Sequence, residues 1–147
     1  MNYIRITREN DIDIPYLTSV LKMPEVSRFI SIDEANYWHY VTSTEYVYYF
    51  KAYDGDCLVG AVHCEIADAV LYMDIMVVPE QQRKGIGSIL LKDIQAGALP
   101  LDFERIEVSI DEANVASIRL FEKMGFLRTS KEDELIEYVY VRQEVSL

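Results

Sequence analysis

The run Gln82-Arg83-Lys84-Gly85-Ile86-Gly87-Ser88 has the residue types needed to hold an anion. Gly85 and Gly87 let the main chain approach a ligand with no Cβ in the way. Arg83 and Lys84 put positive charge at the same place. Ile86, Ile89, Leu90 and Ile94 then follow helical spacing, so a helix begins within the run. The first N–H groups of a helix lack partners and carry partial positive charge, which suits phosphate. The chemistry implied is a pyrophosphate cradle made largely of main chain.

The surrounding elements must present that turn. Ile4 and Ile6 alternate with Arg5 and Thr7 as a short strand, and Asp11 or Asp13 caps a helix that carries Pro15 and runs to about Met23. Ser31-Ile32-Asp33-Glu34 has the form of a capping box and opens a second helix through Trp38 and Tyr40. Residues 46–53 are rich in strand formers, and Asp54-Gly55 signals a hairpin. Strands are expected at 58–66 and 70–78, joined at Ala67-Asp68, then the cradle and its helix, which Gly97 ends. A strand at 106–110, a helix at 114–124 stopped by Gly125, and a strand at 135–142 complete the chain. The pattern is α/β in the α+β sense: one domain spanning residues 1–147, with helices packed on a mixed, mostly antiparallel sheet.

Two familiar phosphate folds do not fit. A Walker loop needs Gly-Lys-Ser/Thr at its second glycine, whereas Gly87 is followed by Ser88-Ile89. A dinucleotide fingerprint needs a third glycine where Leu90 stands. An acyl-CoA cradle is the option that remains. Val77-Val78-Pro79-Glu80-Gln81-Gln82-Arg83-Lys84-Gly85-Ile86-Gly87 resembles the Gln/Arg-x-x-Gly-x-Gly/Ala signature of the GNAT superfamily of N-acetyltransferases, which follows a strand ending in Val-x-Pro. A second block, Asn114-Val115-Ala116-Ser117-Ile118-Arg119-Leu120-Phe121-Glu122-Lys123-Met124-Gly125-Phe126, resembles the Asn-x-x-Ala/Ser-Ile-x-Leu-Tyr-x-x-x-Gly-Phe helix of the same superfamily.

The resemblance implies helices on both faces of the sheet and a splayed strand pair that admits acyl-CoA. It implies that the main chain of Ile75, Met76 and Val77 pairs with the pantetheine arm, with the Val77 amide polarising the thioester carbonyl. It places the pyrophosphate against Gln82, Arg83, Lys84, Gly85, Ile86, Gly87 and Ser88, and the pantetheine near Asn114. Acetyl-CoA is then the acyl donor, and a primary amine of a small molecule or a protein is the acceptor. One position departs: the superfamily often has a tyrosine as acid toward the leaving thiolate where this chain has Phe121. The thiolate leaves unaided, another group such as Tyr72, Tyr138 or Tyr140 supplies the proton, or the domain only binds acyl-CoA.

Direct attack needs a neutral amine, yet only about one in a thousand lysine-like amines is neutral near pH 7. A base is required. Asp74 lies in the apolar run Leu71-Tyr72-Met73-Asp74-Ile75-Met76, where an unpaired charge is costly, and is the first candidate. Glu107 on the following strand is the second, and His63 and Glu65 share a face of the preceding strand. By resemblance the acceptor pocket draws on residues 23–40, where Glu25, Trp38, His39 and Tyr40 are candidates.

A net charge of −11 disfavours phosphate backbones, so no nucleic-acid partner is expected, and it suits a cationic acceptor. Cys57 and Cys64, about 23 Å apart on one strand, form no disulfide, lack metal-site spacing and read as two buried thiols; no metal is expected. No signal-peptide core or transmembrane run stands out, so no membrane partner and a cytoplasmic location are the expectation. A homodimer is compatible with the reading. Two rivals to the enzyme remain: a non-catalytic acyl-CoA-binding module, and an interaction protein using the tyrosine-rich stretch 46–50.

Overall fold

The computed structural model describes residues 1–29, 32 and 35–142. Its strands are β1 (Asn2–Arg5), β2 (Val47–Asp54), β3 (Cys57–Ala67), β4 (Val70–Val77), β5 (Arg105–Asp111), β6 (Leu127–Glu132) and β7 (Leu135–Val141). The helices are α1 (Ile14–Leu21), α2 (Pro24–Ser27), α3 (Tyr37–Ser43), α4 (Ile86–Gln95) and α5 (Val115–Lys123). One sheet takes the order β1-β2-β3-β4-β5-β7-β6, antiparallel throughout except where β4 meets β5.

Period-two alternation sends successive side chains of the central strands into two cores. Phe50, Val62, Leu71, Met73, Ile106 and Val108 pack under Leu91 and Ile94 of α4 and Phe121 of α5. Tyr49, Ala61 and Met76 face the other way, against Leu17, Val20 and Leu21 of α1 and Trp38 and Val41 of α3. Helices therefore cover both faces, which is why β2, β3 and β4 read as nearly continuous apolar runs. Trp38 locks α3 to α1 by donating its indole N–H to Thr18 Oγ1 at 2.9 Å. None of the helices among the described residues is long and apolar enough to cross a membrane.

The expected elements are present with shifted ends. Ser31 and Glu34 of the expected capping box lie outside the described residues, and the helix that follows starts at Tyr37 with Asn36 as its N-cap. α2 was not expected: Pro24 ends the first helical pattern but also starts a new turn, a position that suits a residue without an N–H. β6 was not expected either. Its sequence Leu-Arg-Thr-Ser-Lys-Glu has no apolar alternation because it is an edge strand exposed on both faces. Both cysteines lie on β3, but only Cys64 is buried; Cys57 is exposed where the strand begins, which corrects the expectation of two buried thiols.

The β3–β4 hairpin closes through Asp68 and Ala69, both left-handed, at φ 50° and 64°. That is the turn whose hand matches strand twist, and its second place favours glycine. An alanine there carries about 1 kcal/mol of backbone strain that glycine does not. Ala69→Gly is expected to raise the melting temperature by about 2–4 °C, read by thermal unfolding. An unchanged or lower value would show that chain entropy cancels the relief of strain.

Candidate active site

β4 and β5 are laddered only at Val70–Arg105, Leu71–Ile106 and Tyr72–Glu107. Beyond these, β4 continues to Val77 and β5 to Asp111, and the strands part. The opening is a cleft of ≈ 650 Å³ whose walls include Met73 to Val77 on one side and Val108 to Asp111 on the other. Its rim is closed by the turn before α4 and the start of α5, and Glu25, Val26 and Phe29 border it from the α2 end.

The polar groups of β4 face this opening in alternation. The N–H of Val78 donates to the Val59 carbonyl at 3.0 Å, toward β3. Alternation along the strand then turns the N–H and C=O of Val77 and Ile75 away from β3, into the gap. Met76 presents its main chain to β3 and buries its side chain against α1 and α3. The Gln82 side-chain amide reaches back and donates to the Val77 carbonyl at 3.3 Å, tying the turn to the strand end.

The turn itself bends through two left-handed residues, Arg83 at φ 64° and Gly85 at φ 76°, with Lys84 between them. Successive N–H groups in such a bend converge into an anion-binding nest at the mouth of α4, where Gly85 is the N-cap. A left-handed arginine costs about 1–3 kcal/mol, the kind of strain found at functional turns. Gln82, Arg83, Gly85, Ile86, Gly87 and Ser88 line the cleft, while Lys84 is exposed outside that lining. Gly87 faces the opposite wall: a Cβ there would stand 3.1 Å from Leu120 Cδ2 and 3.9 Å from Val77 Cγ2. Asn114 lines the cleft and also caps α5, accepting from the Ser117 N–H at 3.3 Å.

Asp74 sits where the strands part and borders both the main cleft and a neighbouring cavity of ≈ 360 Å³. Solvent reaches it, yet the concave wall surrounds it with protein. That desolvation, with the charge of Glu65 adding to it, holds the Asp74 carboxyl above the usual carboxylate range, although His63 pulls the other way. Glu107 lies on the cavity side only, with Arg105 Nε at 3.7 Å and Tyr72 beside it, and is not part of the main cleft.

His63 stands directly across the ladder from Asp74. Its Nδ1 meets Tyr37 Oη at 2.7 Å and its Nε2 meets Glu65 Oε2 at 2.9 Å; Tyr40 donates to Glu65 Oε1 at 2.5 Å. Tyr37 was missed from sequence, since it is one aromatic in a dense run; its place next to His63 depends on α3 crossing β3. Of the other acceptor-side candidates, Trp38 is core, His39 is exposed beside Glu9, Tyr40 holds Glu65, and Glu25 borders the main cleft.

Phe121 is buried and lines the cleft, edge-on to Phe126 at 4.9 Å. The three tyrosines considered as its replacement are elsewhere. Tyr138 is a core residue donating to Glu122 Oε2 at 3.2 Å, Tyr140 packs on Phe126, and Tyr72 borders the smaller cavity but not the main cleft. Among the described residues, no three His, Cys, Asp or Glu side chains are grouped to hold a metal ion.

Comparison with known proteins meets this geometry. The sequence profile described as Acetyltransferase (GNAT) family matches residues 14–126. In fold the chain is similar to the Campylobacter jejuni N-acetyltransferase PseH in complex with acetyl coenzyme A, at 14% identity and TM-score 0.78, over 97% of this chain and 99% of that one. It is similar to spermidine N-acetyltransferase from Vibrio cholerae in complex with CoA and spermine, at 15% identity and TM-score 0.77, over 95% of each chain. It is similar also to a domain from Methanocaldococcus jannaschii, at 18% identity and TM-score 0.76, over 95% of this chain and 98% of that domain. A search of curated proteins by sequence matches none.

Proposed function

The chain belongs to the Acetyltransferase (GNAT) family, and from that premise we propose that it moves an acetyl group from acetyl-CoA to a primary amine by direct attack in the cleft between β4 and β5. The observation that carries this is the join of a left-handed nest to an unladdered strand edge. The nest offers converging N–H groups to a pyrophosphate, and the N–H groups of Ile75 and Val77 with the Ile75 carbonyl offer a strand partner to the pantetheine arm, the Val77 carbonyl being held by Gln82. A thioester carbonyl lodged at Val77 finds its N–H as an oxyanion donor.

The cleft is polar end to end. Arg83 lies at the nest, whereas Glu65, Asp74, Glu107 and Glu137 gather round the smaller cavity behind Asp74. A donor carrying phosphates and an acceptor carrying an ammonium are thereby sorted to opposite ends. Asp74, rather than Glu107, takes the acceptor's proton, because it borders the main cleft, and desolvation makes it a stronger base than an ordinary aspartate. Phe121 leaves the departing sulfur without a phenol, but a thiol of pKa about 8.5 leaves as thiolate near neutral pH with little help. The small-molecule amine is favoured over a protein acceptor by the carboxylate-ringed cavity of ≈ 360 Å³, a volume suited to a compact cation.

Calorimetric titration with acetyl-CoA is expected to give saturable binding at one site. Thiol release is expected with at least one cationic primary amine from a panel including spermidine, lysine, glucosamine and phenethylamine. Saturable binding with no thiol release from any amine would instead favour the acyl-CoA-binding module that Phe121 suggests.

A further inference from the structure

Asp74 and Tyr72 stand two residues apart on β4 and so project from the same face of the sheet. The rungs place His63 beside Asp74 and Glu65 beside Tyr72 on β3, and Glu107 beside Tyr72 on β5. At Tyr72 the strands β4 and β5 are laddered, so a ligand cannot pass between them there. Whatever extends from Asp74 away from the nest must run over this face instead. The hollows of the surface follow that course. The main cleft and the ≈ 360 Å³ cavity share Asp74, and that cavity shares Glu65 and Tyr72 with a third hollow of ≈ 410 Å³. One trough therefore leads from the donor cleft, past Asp74, and across the Glu65–Tyr72 rung.

Its far end differs in kind from its middle. Tyr40, Tyr46 and Tyr72 line it at 38%, 58% and 45% exposure, and Val47 and Ala67 join them. Three aromatic side chains left open round one hollow make a patch that calls for a guest. Two of the rings are fixed by their hydroxyls and neighbours. Tyr40 donates to Glu65 Oε1 at 2.5 Å and stacks on His63 with 6.4 Å between ring centres, while Tyr72 is engaged by Glu107. Tyr46 is held at φ 65°, a left-handed backbone that a bulky residue rarely adopts, and its carbonyl accepts from the Ile66 N–H at 3.0 Å. The carboxylates at this end offer little to a second ammonium. Glu65 already meets Tyr40 and His63, and Glu45 lies open to solvent.

We infer that the acceptor is an arylalkylamine, with its nitrogen at Asp74 and its aromatic ring among Tyr40, Tyr46 and Tyr72. This rests on Asp74 marking the acceptor end of an acetyl-transfer cleft. The carboxylates in the middle of the trough hold the ammonium, and the tyrosine rings take the guest ring edge-on or offset. A two-residue step along β4 spans about 7 Å, so about two to four methylenes must join nitrogen to ring. The fit follows the usual division of a small-molecule site into apolar walls and a few placed polar groups.

The test uses the full chain with acetyl-CoA, following thiol release and taking kcat/KM for matched amines. Phenylpropylamine and phenylbutylamine are expected to exceed propylamine and butylamine by roughly 10- to 100-fold. Tyr46→Asn suits the left-handed backbone but carries no ring, and is expected to cut that preference to about threefold or less. Tyr46→Phe keeps the ring and is expected to keep the preference. Thermal unfolding establishes that both variants are folded. Equal values for phenyl and plain amines overturn the inference while acetyl transfer stands, as does a preference that Tyr46→Asn leaves intact. Spermidine outpacing every phenylalkylamine would show that the trough takes a second cation, and overturns it as well. No thiol release from any amine removes acetyl transfer, and calorimetry then decides the trough separately. An arylalkylamine site stands if phenylbutylamine binds more tightly than butylamine and Tyr46→Asn abolishes the difference; otherwise it falls.

Discussion

Gly87→Glu is expected to weaken acetyl-CoA binding by about 100-fold or more, a loss of about 3 kcal/mol, with the fold intact. Position 87 is on the first turn of α4 and faces α5 across the cleft, where a Cβ meets only the end of Leu120 and, farther off, Val77. A glutamate side chain must run into the space assigned to the donor, and its carboxylate stands close to the assigned pyrophosphate in a partly desolvated site. Gly87→Ala separates the two causes. Leu120 has only to shift by a few tenths of an ångström to admit a methyl group, so affinity is expected to fall a few-fold at most. Calorimetry on both variants, with thermal unfolding to establish that each is folded, makes the measurement. Wild-type affinity in Gly87→Glu would mean that the donor does not lie between α4 and α5.

Asp74→Asn is expected to lower kcat by roughly 10²- to 10⁴-fold while leaving acetyl-CoA affinity nearly unchanged, and at the same time to make the protein more stable at neutral pH. Both effects have one origin. Protein surrounding Asp74 raises its pKa in the folded state above that of the unfolded chain. A native state that holds a proton more tightly than the unfolded one gains stability as pH falls through the raised value, and it bears a cost once the carboxyl is ionised. Asparagine removes that cost but cannot take a proton. The wild-type rate is accordingly expected to fall on acidification at a pH above the ordinary aspartate range, and thermal unfolding of the variant is expected to lose part of its pH dependence in the window from that range up to the raised value. A variant that melts lower than wild type at pH 7 would contradict the sign.

The turn that opens α4 was legible because its signals are local. Glycines at 85 and 87, flanked by an apolar strand and an amphipathic helix, specify a turn whatever the rest of the chain does. Helices on both faces were expected from the resemblance alone, and in β4 the positions of Tyr72 and Asp74 nonetheless remain open to water. Three features were not legible. β6 carries no pattern because an edge strand exposed on both faces needs none. Tyr37 meets His63 through a helix–strand contact 26 residues apart, which no local spacing encodes. The dual place of Asp74, open to water yet walled by protein, depends on strands that part after three rungs, and only the ladder itself shows where they do so. His63 and Glu65 were read correctly as sharing a face, but not as hydrogen-bonded partners.

Those three rungs have a mechanical consequence. The sheet is two panels, β1 to β4 and β5 to β7, sewn together along a short seam whose remainder is left unstitched. In the proposed reading, an acyl donor along the open length takes the place of the missing thread, and is at once a reactant and a temporary structural member. Each round of catalysis then completes the fabric when the donor arrives and unpicks it when spent CoA departs. The departure of product is therefore coupled to the stiffness of the whole sheet.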